Sequence, residues 1–179
     1  NYLRAGITTV SGSFDVYNDD NLLFTVATGQ QADITAVSGK VNIFFSGKNH
    51  TGFKKLHFKA SVASEFKAQP AGQKATTRIY KGELIAFSTN GHLQLVNKID
   101  IEDYVAGVIE AESGSGQLAE YYKVQAVISR TYALNNRTRH MADGYEICDA
   151  THCQVYHGKP RHEPLAEKAA AATASIIIV

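Results

Sequence analysis

Two features that would point to a nucleic-acid-binding or a membrane protein are missing from this sequence. Its 18 lysine and arginine residues are balanced by 17 aspartate and glutamate residues, so the net charge is only +1. Proteins that bind nucleic acids usually carry a basic excess or a basic stripe, and we therefore expect no nucleic-acid partner. No apolar run approaches the roughly 20 residues of a membrane-spanning helix, so we predict no such helix.

The sequence also lacks internal repeats and low-complexity linkers. Its 179 residues suit one domain, or one domain with a small subdomain. A content of 44% hydrophobic and 20% charged residues is sufficient for a true core. We predict a single domain over residues 1–179, with a β-rich part at 1–97 and a helical part at 98–179. The chain starts at Asn1 without a methionine, which we interpret as a trimmed or mature end.

Short alternating apolar and polar runs fill the first half of the chain, and polar turn residues separate them. This pattern predicts an antiparallel sheet or a small barrel. The turns at 38–40 and 90–91 are typical of hairpins, and residues 68–73 are predicted to be a loop. The predicted strands lie at 3–10, 13–17, 22–28, 34–37, 41–45, 56–62, 78–87 and 93–97.

A helical pattern follows at about 100–112. Asp100 can cap its start, and an apolar stripe continues at helical spacing. The glycine-rich stretch 113–116 should end the helix, which places Glu112 at a carboxyl end, where the helix dipole disfavours negative charge. A residue placed against a local rule is a candidate for function.

A second helical pattern runs over about 117–136, with Ser115 as its predicted N-cap. Polar residues interrupt a helix that would otherwise be buried. Lys123 and Arg130 are seven residues apart and share one face, whereas Gln125, Ser129 and Tyr132 share another. Without further information, the simplest interpretation is a half-exposed helix with solvated basic residues.

The only two cysteines are Cys148 and Cys153, with four residues between them. His152 lies directly before Cys153, and His140 lies eight residues before Cys148. Zinc binds deprotonated cysteine and neutral histidine in a tetrahedron, so two cysteines with His140 or His152 could supply ligands. In a regular strand His152 and Cys153 point to opposite faces, so both can bind only across a turn. The alternatives are a disulfide, which export would favour, or two reduced, buried cysteines.

The last segment begins as a helix at 164–172 and turns into an apolar run at 176–179 that is typical of a strand. The predicted fold is therefore α+β, with an antiparallel β-rich N-terminal half, a central helix pair at about 100–112 and 117–136, and a further C-terminal helix and strand. A β-branched strand at the end of a chain invites edge pairing. We expect either a fragment or a partner strand from elsewhere.

Three ordered blocks resemble one protein family: YVAGVIEAE at 104–112, EYYKVQAVISRTYAL at 120–134 and CDATHCQVYHG at 148–158. They closely resemble the SpoIID/LytB family, the stage II sporulation protein D and amidase-enhancer proteins of bacterial cell walls. The resemblance is dense from about Arg78 to Gly158. It implies cleavage of peptidoglycan glycan strands by a lytic transglycosylase or, in the enhancer branch, stimulation of an amidase. Such a protein has to be exported, so we infer a removed signal and a periplasmic or cell-wall location.

The resemblance assigns the catalytic role to Glu112 and not to Glu110. One glutamate would protonate the glycosidic oxygen and then take a proton from the C6 hydroxyl of the sugar, which closes a 1,6-anhydro-MurNAc ring. The donor has to be protonated near neutral pH, a state that burial or a negative neighbour favours. Glu110 lies close enough in sequence to be that neighbour.

Further site residues follow from the same resemblance. It implies substrate-binding positions at Lys123, Gln125, Arg130, Tyr132, Gln154 and Tyr156, although the first four can equally support the helix pair. Some family members contain zinc at positions matching the cysteine and histidine block, which favours a metal there and no other cofactor. The expected partners are peptidoglycan glycan strands and, in the enhancer branch, an amidase or other cell-wall hydrolase.

The sequence departs from the family pattern at a few places. Tyr121 and Tyr122 replace a small apolar pair, Ile128 and Ser129 replace two small residues, and Ser113 stands where methionine often follows the catalytic glutamate. These changes leave the fold prediction unchanged but bear on the exact substrate. The family domain normally continues with a glycine- and serine-rich stretch and more sheet, so we expect a chain truncated at its C-terminus.

Overall fold

The structure is a computed structural model that describes residues 3–61, 63–72 and 78–179. The chain divides into two compact units, Asn1–Lys98 and Ile99–Val179. The division falls one residue from the expected boundary between the β-rich and helical parts. Whether the chain behaves as a single domain stays a prediction. Val62 and Gln73, which end a predicted strand and a predicted loop, lie outside the described residues.

The described part of the first unit is all-β and antiparallel. Its strands are β1 Arg4–Ser11, β2 Ser13–Asn18, β3 Asn21–Ala27, β4 Gln31–Val37, β5 Lys40–Phe45, β6 Lys48–Phe53, β7 Lys55–Ala60, β8 Glu65–Pro70, β9 Tyr80–Lys81, β10 Glu83–Thr89 and β11 His92–Lys98. They form a six-stranded sheet in the order β6-β5-β4-β1-β8-β9 and a five-stranded sheet in the order β11-β10-β7-β2-β3. Together with the helices of the second unit, these sheets confirm the predicted α+β class.

The two sheets share one hydrophobic core. Because side chains alternate between the faces of a strand, every second residue of β4 and β5 points inward. Ile34 and Ile43 are paired in register across these strands, and both are fully buried. Phe14 and Phe66 come from different sheets and meet edge to face, with ring centroids 5.6 Å apart. Burial of this alternating set explains why the apolar pattern located most strands.

Three features of the sheets differ from the prediction. Strand β6 was not predicted, and β8 occupies residues 65–70, where a loop had been placed from 68. β6 has few apolar residues and is defined by its hairpin with β5, whereas β8 is defined by pairing with the distant strand β1. The predicted strand 78–87 is broken at Gly82, which has φ of +84°. The break lets β9 join the six-stranded sheet and β10 the other.

The second unit contains three α-helices in the described residues, α1 Ile101–Ser113, α2 Ala119–Asn135 and α3 Pro164–Ala172, and a short 3₁₀ helix at Met141–Asp143. The N-cap prediction at Asp100 is confirmed, because its carboxylate accepts the Glu102 N–H at 2.8 Å. The predicted end of α1 is confirmed at Gly114, which has φ of +68°. No helix among the described residues is long and apolar enough to cross a bilayer.

Two local predictions in this unit were wrong. The N-cap of α2 is Leu118 and not Ser115, because a distant carboxylate, that of Glu163, binds the preceding loop at the Gly116 N–H at 3.0 Å. The predicted strand 176–179 is absent from the described structure. Its backbone instead bonds side chains of α2, with the Ile178 N–H donating to the Thr131 hydroxyl at 3.0 Å.

Candidate functional site

The end of α1 carries two glutamates with different partners. Glu110 accepts hydrogen bonds from three consecutive backbone N–H groups, those of Arg161 at 2.9 Å, His162 at 2.7 Å and Glu163 at 2.8 Å. These donors occupy the Glu110 carboxylate. It therefore clamps α1 to the loop before α3 and is unsuited to act on a substrate.

Glu112 lies one half-turn further along the same helix and is exposed. Its Oε1 accepts a hydrogen bond from the backbone N–H of Val155 at 2.6 Å. The carboxylate is therefore held in one orientation while remaining open to solvent. The sequence led us to expect that Glu112 would be buried or would face the negative charge of Glu110. Glu112 is exposed, and the Glu110 carboxylate is bonded to the backbone of residues 161–163.

Four side chains after α2 form what we call the Cys/His cluster: His140, Cys148, His152 and Cys153. Their ligand atoms all lie within 4.8 Å of one another. His152 Nδ1 is 3.4 Å from His140 Nε2, 3.7 Å from Cys148 Sγ and 3.6 Å from Cys153 Sγ. The sequence offered His140 or His152 as alternatives, and the structure brings both to the cysteines.

The cluster fits a tetrahedral metal ion of the zinc type. Bonds of about 2.0–2.3 Å in a tetrahedron separate ligand atoms by roughly 3.3–3.8 Å, and the distances from His152 Nδ1 fall in this range. The other nitrogen of His140, Nδ1, lies 3.0 Å from Asp143 Oδ2. Such a carboxylate fixes the ring so that the opposite nitrogen faces the metal. The two cysteines are free thiols, so the structure does not contain the alternative disulfide.

The chemistry of the thiols agrees with a ligand role. Cys153 is buried, and burial, with the neighbouring Cys148 thiol, raises the pKa of Cys153 above its usual range. A bare thiolate there would be costly, whereas a bound cation would offset its charge. A turn between Cys148 and Cys153, in which the Cys153 N–H donates to the Ala150 carbonyl at 2.9 Å, allows His152 and Cys153 to face one point.

Tyr104, on α1, contacts the segment that follows the cluster. Its hydroxyl donates to Gln154 Oε1 at 3.1 Å, and its ring lies 5.1 Å from that of Tyr156. All three side chains are buried. Burial raises the pKa of Tyr104, and the nearby cysteines, Tyr132 and Glu112 add to that shift. The sequence indicated only an apolar role for Tyr104, in the stripe of α1 and in a hydrophobic staple with Ile99. Nothing local in the sequence reveals its hydrogen-bond partner fifty residues away.

Comparison with known proteins finds a family model for the second half of the chain. The family model described as "Stage II sporulation protein", SpoIID, matches residues 89–179, which is half of the chain. This chain belongs to the SpoIID family. The matched range contains all three helices, Glu112 and the Cys/His cluster. The family is related to the bacterial cell wall, and this coarse role extends to the chain.

One curated relative of this SpoIID chain is an uncharacterized protein of Brachyspira hyodysenteriae. It is 35% identical over 83 residues, which make up 46% of this chain and 23% of the relative. The chain therefore matches less than a quarter of that relative's length. No solved structure matches the chain.

The predicted substrate-binding residues of the SpoIID region do not form one accessible set. Arg130 is 1% exposed and pairs with Glu102, and it also donates to the Ala170 and Ile176 carbonyls at 3.1 Å each. This arrangement favours the supporting role for Arg130 over substrate binding. Gln154 is likewise buried, and its amide oxygen is taken by Tyr104.

Other predicted binding residues are more accessible. Lys123 is half-exposed and pairs with Glu120 at 2.8 Å. It borders an open, mostly apolar cavity of about 370 Å³ between α2 and the segment 173–178. Gln125 donates to Ser129 at 3.2 Å along the same helix. These contacts leave their substrate-binding role a prediction.

Tyr132 is joined to the cluster by a residue that the sequence did not single out, Arg139. The guanidinium of Arg139 donates to the Tyr132 hydroxyl at 2.9 Å and lies 3.3 Å from His152 Nε2. Arg139 is exposed, so it provides a positive charge at the surface beside the cluster. The only feature of the sequence that could have pointed to Arg139 is its position directly before His140. A single basic residue beside a histidine is too common to indicate a functional site.

Proposed function

We propose that this SpoIID protein cleaves peptidoglycan glycan strands as a lytic transglycosylase, with Glu112 as the catalytic residue. The observation that supports the proposal is the contrast between the two carboxylates of α1. Three backbone donors occupy the Glu110 carboxylate. Glu112 is exposed, and the Val155 N–H that orients it lies two residues after Cys153 of the Cys/His cluster. Of these two carboxyls of α1, Glu112 is therefore the one that can meet an incoming glycan.

The proposed reaction needs one carboxyl in two successive roles. Glu112 first gives its proton to the oxygen that links MurNAc to the next sugar, and the C–O bond breaks through an oxocarbenium-like transition state. The resulting carboxylate then removes the proton of the C6 hydroxyl, whose oxygen bonds to C1 and closes the 1,6-anhydro ring. The proton is returned to Glu112, so no water is consumed. Hydrogen bonding from Val155 keeps one oxygen fixed while the other serves the substrate.

The exposure of Glu112 gives the substrate a further role. A glycan laid over the end of α1 would displace water from the carboxyl, and removing water disfavours the charged form of an acid. The same covering would strengthen the hydrogen bonds made in the transition state. Half-exposed Lys123 and Tyr132 are proposed to contact the strand.

The four residues of the Cys/His cluster would hold a zinc ion. Bound there, zinc would act as a structural cross-link that fixes the turn 148–153, since four protein ligands leave no open position for a substrate. The chain's own residues supply the proton chemistry. A wall-cleaving role further implies export to the periplasm or cell wall, with glycan strands as the partner.

Mass spectrometry of cell-wall sacculi tests the proposal. Purified protein should release 1,6-anhydro-muropeptides from sacculi with or without stem peptides, and Glu112→Gln should lower this release by about a hundredfold or more. Glu167→Gln, at an exposed position of α3, is the matched control and should keep wild-type release. Stimulation of an added amidase without new anhydro ends, unaffected by Glu112→Gln, would support the enhancer role and reject glycan cleavage.

A further inference from the structure

Three consecutive residues after the cluster turn have three separate partners. Cys153 brings its sulfur to the Cys/His cluster. Gln154 accepts a hydrogen bond from the Tyr104 hydroxyl at 3.1 Å, and the Val155 N–H donates to Glu112 at 2.6 Å. Two of these partners lie on α1, so the segment 153–155 joins the cluster to the helix that carries the proposed catalytic carboxyl.

The middle contact is the one that water cannot replace. Tyr104 is 8% exposed and Gln154 is 7% exposed, so their hydrogen bond is buried. A buried polar group that loses its partner bears the cost of desolvation without compensation. The Tyr156 ring, 5.1 Å from that of Tyr104, further restricts the phenol. The hydrogen bond from the Tyr104 hydroxyl to the Gln154 amide therefore fixes the position of the segment 153–155 along the axis of α1.

We propose that Tyr104 and Gln154 are positioning residues that hold the segment 153–155 so that the Val155 N–H, the Cys/His cluster and Glu112 keep one relative arrangement. This inference rests on the proposed role of Glu112 in glycan cleavage. It also gives Gln154 a role other than the substrate binding that the family resemblance implied. The amide is buried and its oxygen is already bonded, so it acts through its neighbour Val155.

The consequence for the reaction is geometric. Glu112 is exposed in the last turn of α1, so without the Val155 N–H its carboxyl would sample several rotamers. Displacing a catalytic group by about 1 Å can cost roughly a hundredfold in rate. The cluster fixes the segment at Cys153, and Tyr104 fixes it at the next residue. Loosening either attachment should release the same hydrogen bond to Glu112.

Amide hydrogen exchange tests the attachment without reference to activity. Zinc-loaded, ¹⁵N-labelled full chain is compared with Tyr104→Phe and Gln154→Met, and the exchange rates of Val155 and Ala126 are read from NMR spectra. Each variant should accelerate exchange at Val155 by about tenfold or more, while Ala126, fully buried in α2, keeps its rate. Removing zinc from the wild type with a chelator should also accelerate Val155. Tyr121→Phe, the same change at an exposed tyrosine of α2, is the matched control.

Steady-state kinetics with sacculi as the substrate provide a second test of the positioning role. Tyr104→Phe and Gln154→Met should lower kcat by about 10–100-fold with KM changed less than about twofold, as expected for a displaced catalytic group. Unchanged exchange at Val155 in both variants would overturn the inference. Equal acceleration at Val155 and Ala126 would also overturn it, because that pattern indicates general destabilisation. Unchanged kcat despite faster Val155 exchange would reject the positioning role.

A failure of the proposed function would look different. In that case the wild type would release no anhydro products, whereas Val155 would still respond to Tyr104→Phe and to zinc removal. The attachment of the segment would then be supported, and only its assignment to glycan cleavage would be withdrawn.

Discussion

Arg130 of α2 and Glu102 of α1 form a bidentate ion pair in which the arginine is 1% exposed. The same guanidinium donates to the Ala170 carbonyl in α3 and the Ile176 carbonyl beyond it. One side chain thus joins three helices and the terminal segment of the second unit. Arg130 is suited to this role because its planar group offers five donors in a fixed fork.

Removing this side chain should destabilise the second unit strongly. Arg130→Met would leave the Glu102 carboxylate without its partner, and breaking a buried pair from one side costs about 3–5 kcal/mol. Urea unfolding followed by circular dichroism at 222 nm measures the loss, since the described helices all lie in this unit. Arg137→Met, in the exposed pair with Glu146, should leave the midpoint nearly unchanged. Equal losses from both variants would contradict the role of Arg130.

Gly107 of α1 should be intolerant of the smallest side chain. A Cβ there would lie 2.3 Å from the Gly158 carbonyl oxygen and 2.6 Å from a ring carbon of Tyr156. We expect Gly107→Ala to destabilise by about 1–3 kcal/mol through overpacking. Glycine to alanine inside a helix ordinarily stabilises by up to about 1 kcal/mol. The sign of the change in urea midpoint therefore decides whether α1 packs directly against 156–158.

Features fixed by neighbouring residues were predictable from the sequence. Asp100 and Gly114 set the ends of α1 through local hydrogen bonds and backbone angles, and both were located correctly. The cluster residues lie within fourteen positions of one another, so spacing and chemistry were enough to group them. The family resemblance then singled out Glu112 over Glu110, and the backbone donors that hold Glu110 show a physical difference between the two.

Features fixed by distant residues were not predictable. The start of α2 is set by Glu163, whose carboxylate accepts a hydrogen bond from the Gly116 N–H, 47 positions away. Arg130 looked like an ordinary basic residue of a half-exposed helix until its partners on α1 and α3 were known. Tyr104 has an apolar body and a polar tip, and sequence periodicity reports only the first. Long-range pairing likewise defines β8, whose sequence has few apolar residues.

Acid should weaken the second unit through Glu163. Its buried carboxylate accepts bonds from the Gly116 N–H, the Tyr122 hydroxyl and the Leu165 N–H, and these bonds, led by that from Gly116, hold the pKa of Glu163 below its ordinary value of 4.5. The unfolded chain then binds this proton at a higher pH than the folded chain. The stabilisation is therefore fully present above about pH 4.5 and is lost as the pH falls through the lower folded value.

Urea midpoints at several pH values check this expectation. The wild type should lose stability below about pH 4.5. Glu163→Gln should reduce the dependence of the urea midpoint on pH in this range, because a glutamine at position 163 takes up no proton. Glu167→Gln, the same change at an exposed position of the same helix, is the control for the loss of one carboxylate. A variant slope as steep as that of the wild type would assign the acid sensitivity to other carboxylates.

Asp143 should tune metal affinity without being a ligand. Its carboxylate lies 3.0 Å from His140 Nδ1, which turns His140 Nε2 towards His152 and the two cysteines. Loss of such a partner typically lowers metal affinity by about 10–100-fold. We therefore expect Asp143→Asn to weaken zinc binding by that factor in competition with a chromophoric chelator, while the cobalt-loaded protein keeps its thiolate absorption bands because all four ligands remain.

The matched control separates the hydrogen bond from the charge. Asp149→Asn removes the same charge from an exposed position next to Cys148, so it reports how much a nearby carboxylate helps a cation through the field alone. A larger loss for Asp143→Asn than for Asp149→Asn is expected, since only Asp143 holds a ligating ring in place. Equal losses would mean that His140 is oriented by other contacts, such as the Tyr145 ring stacked 4.8 Å from it.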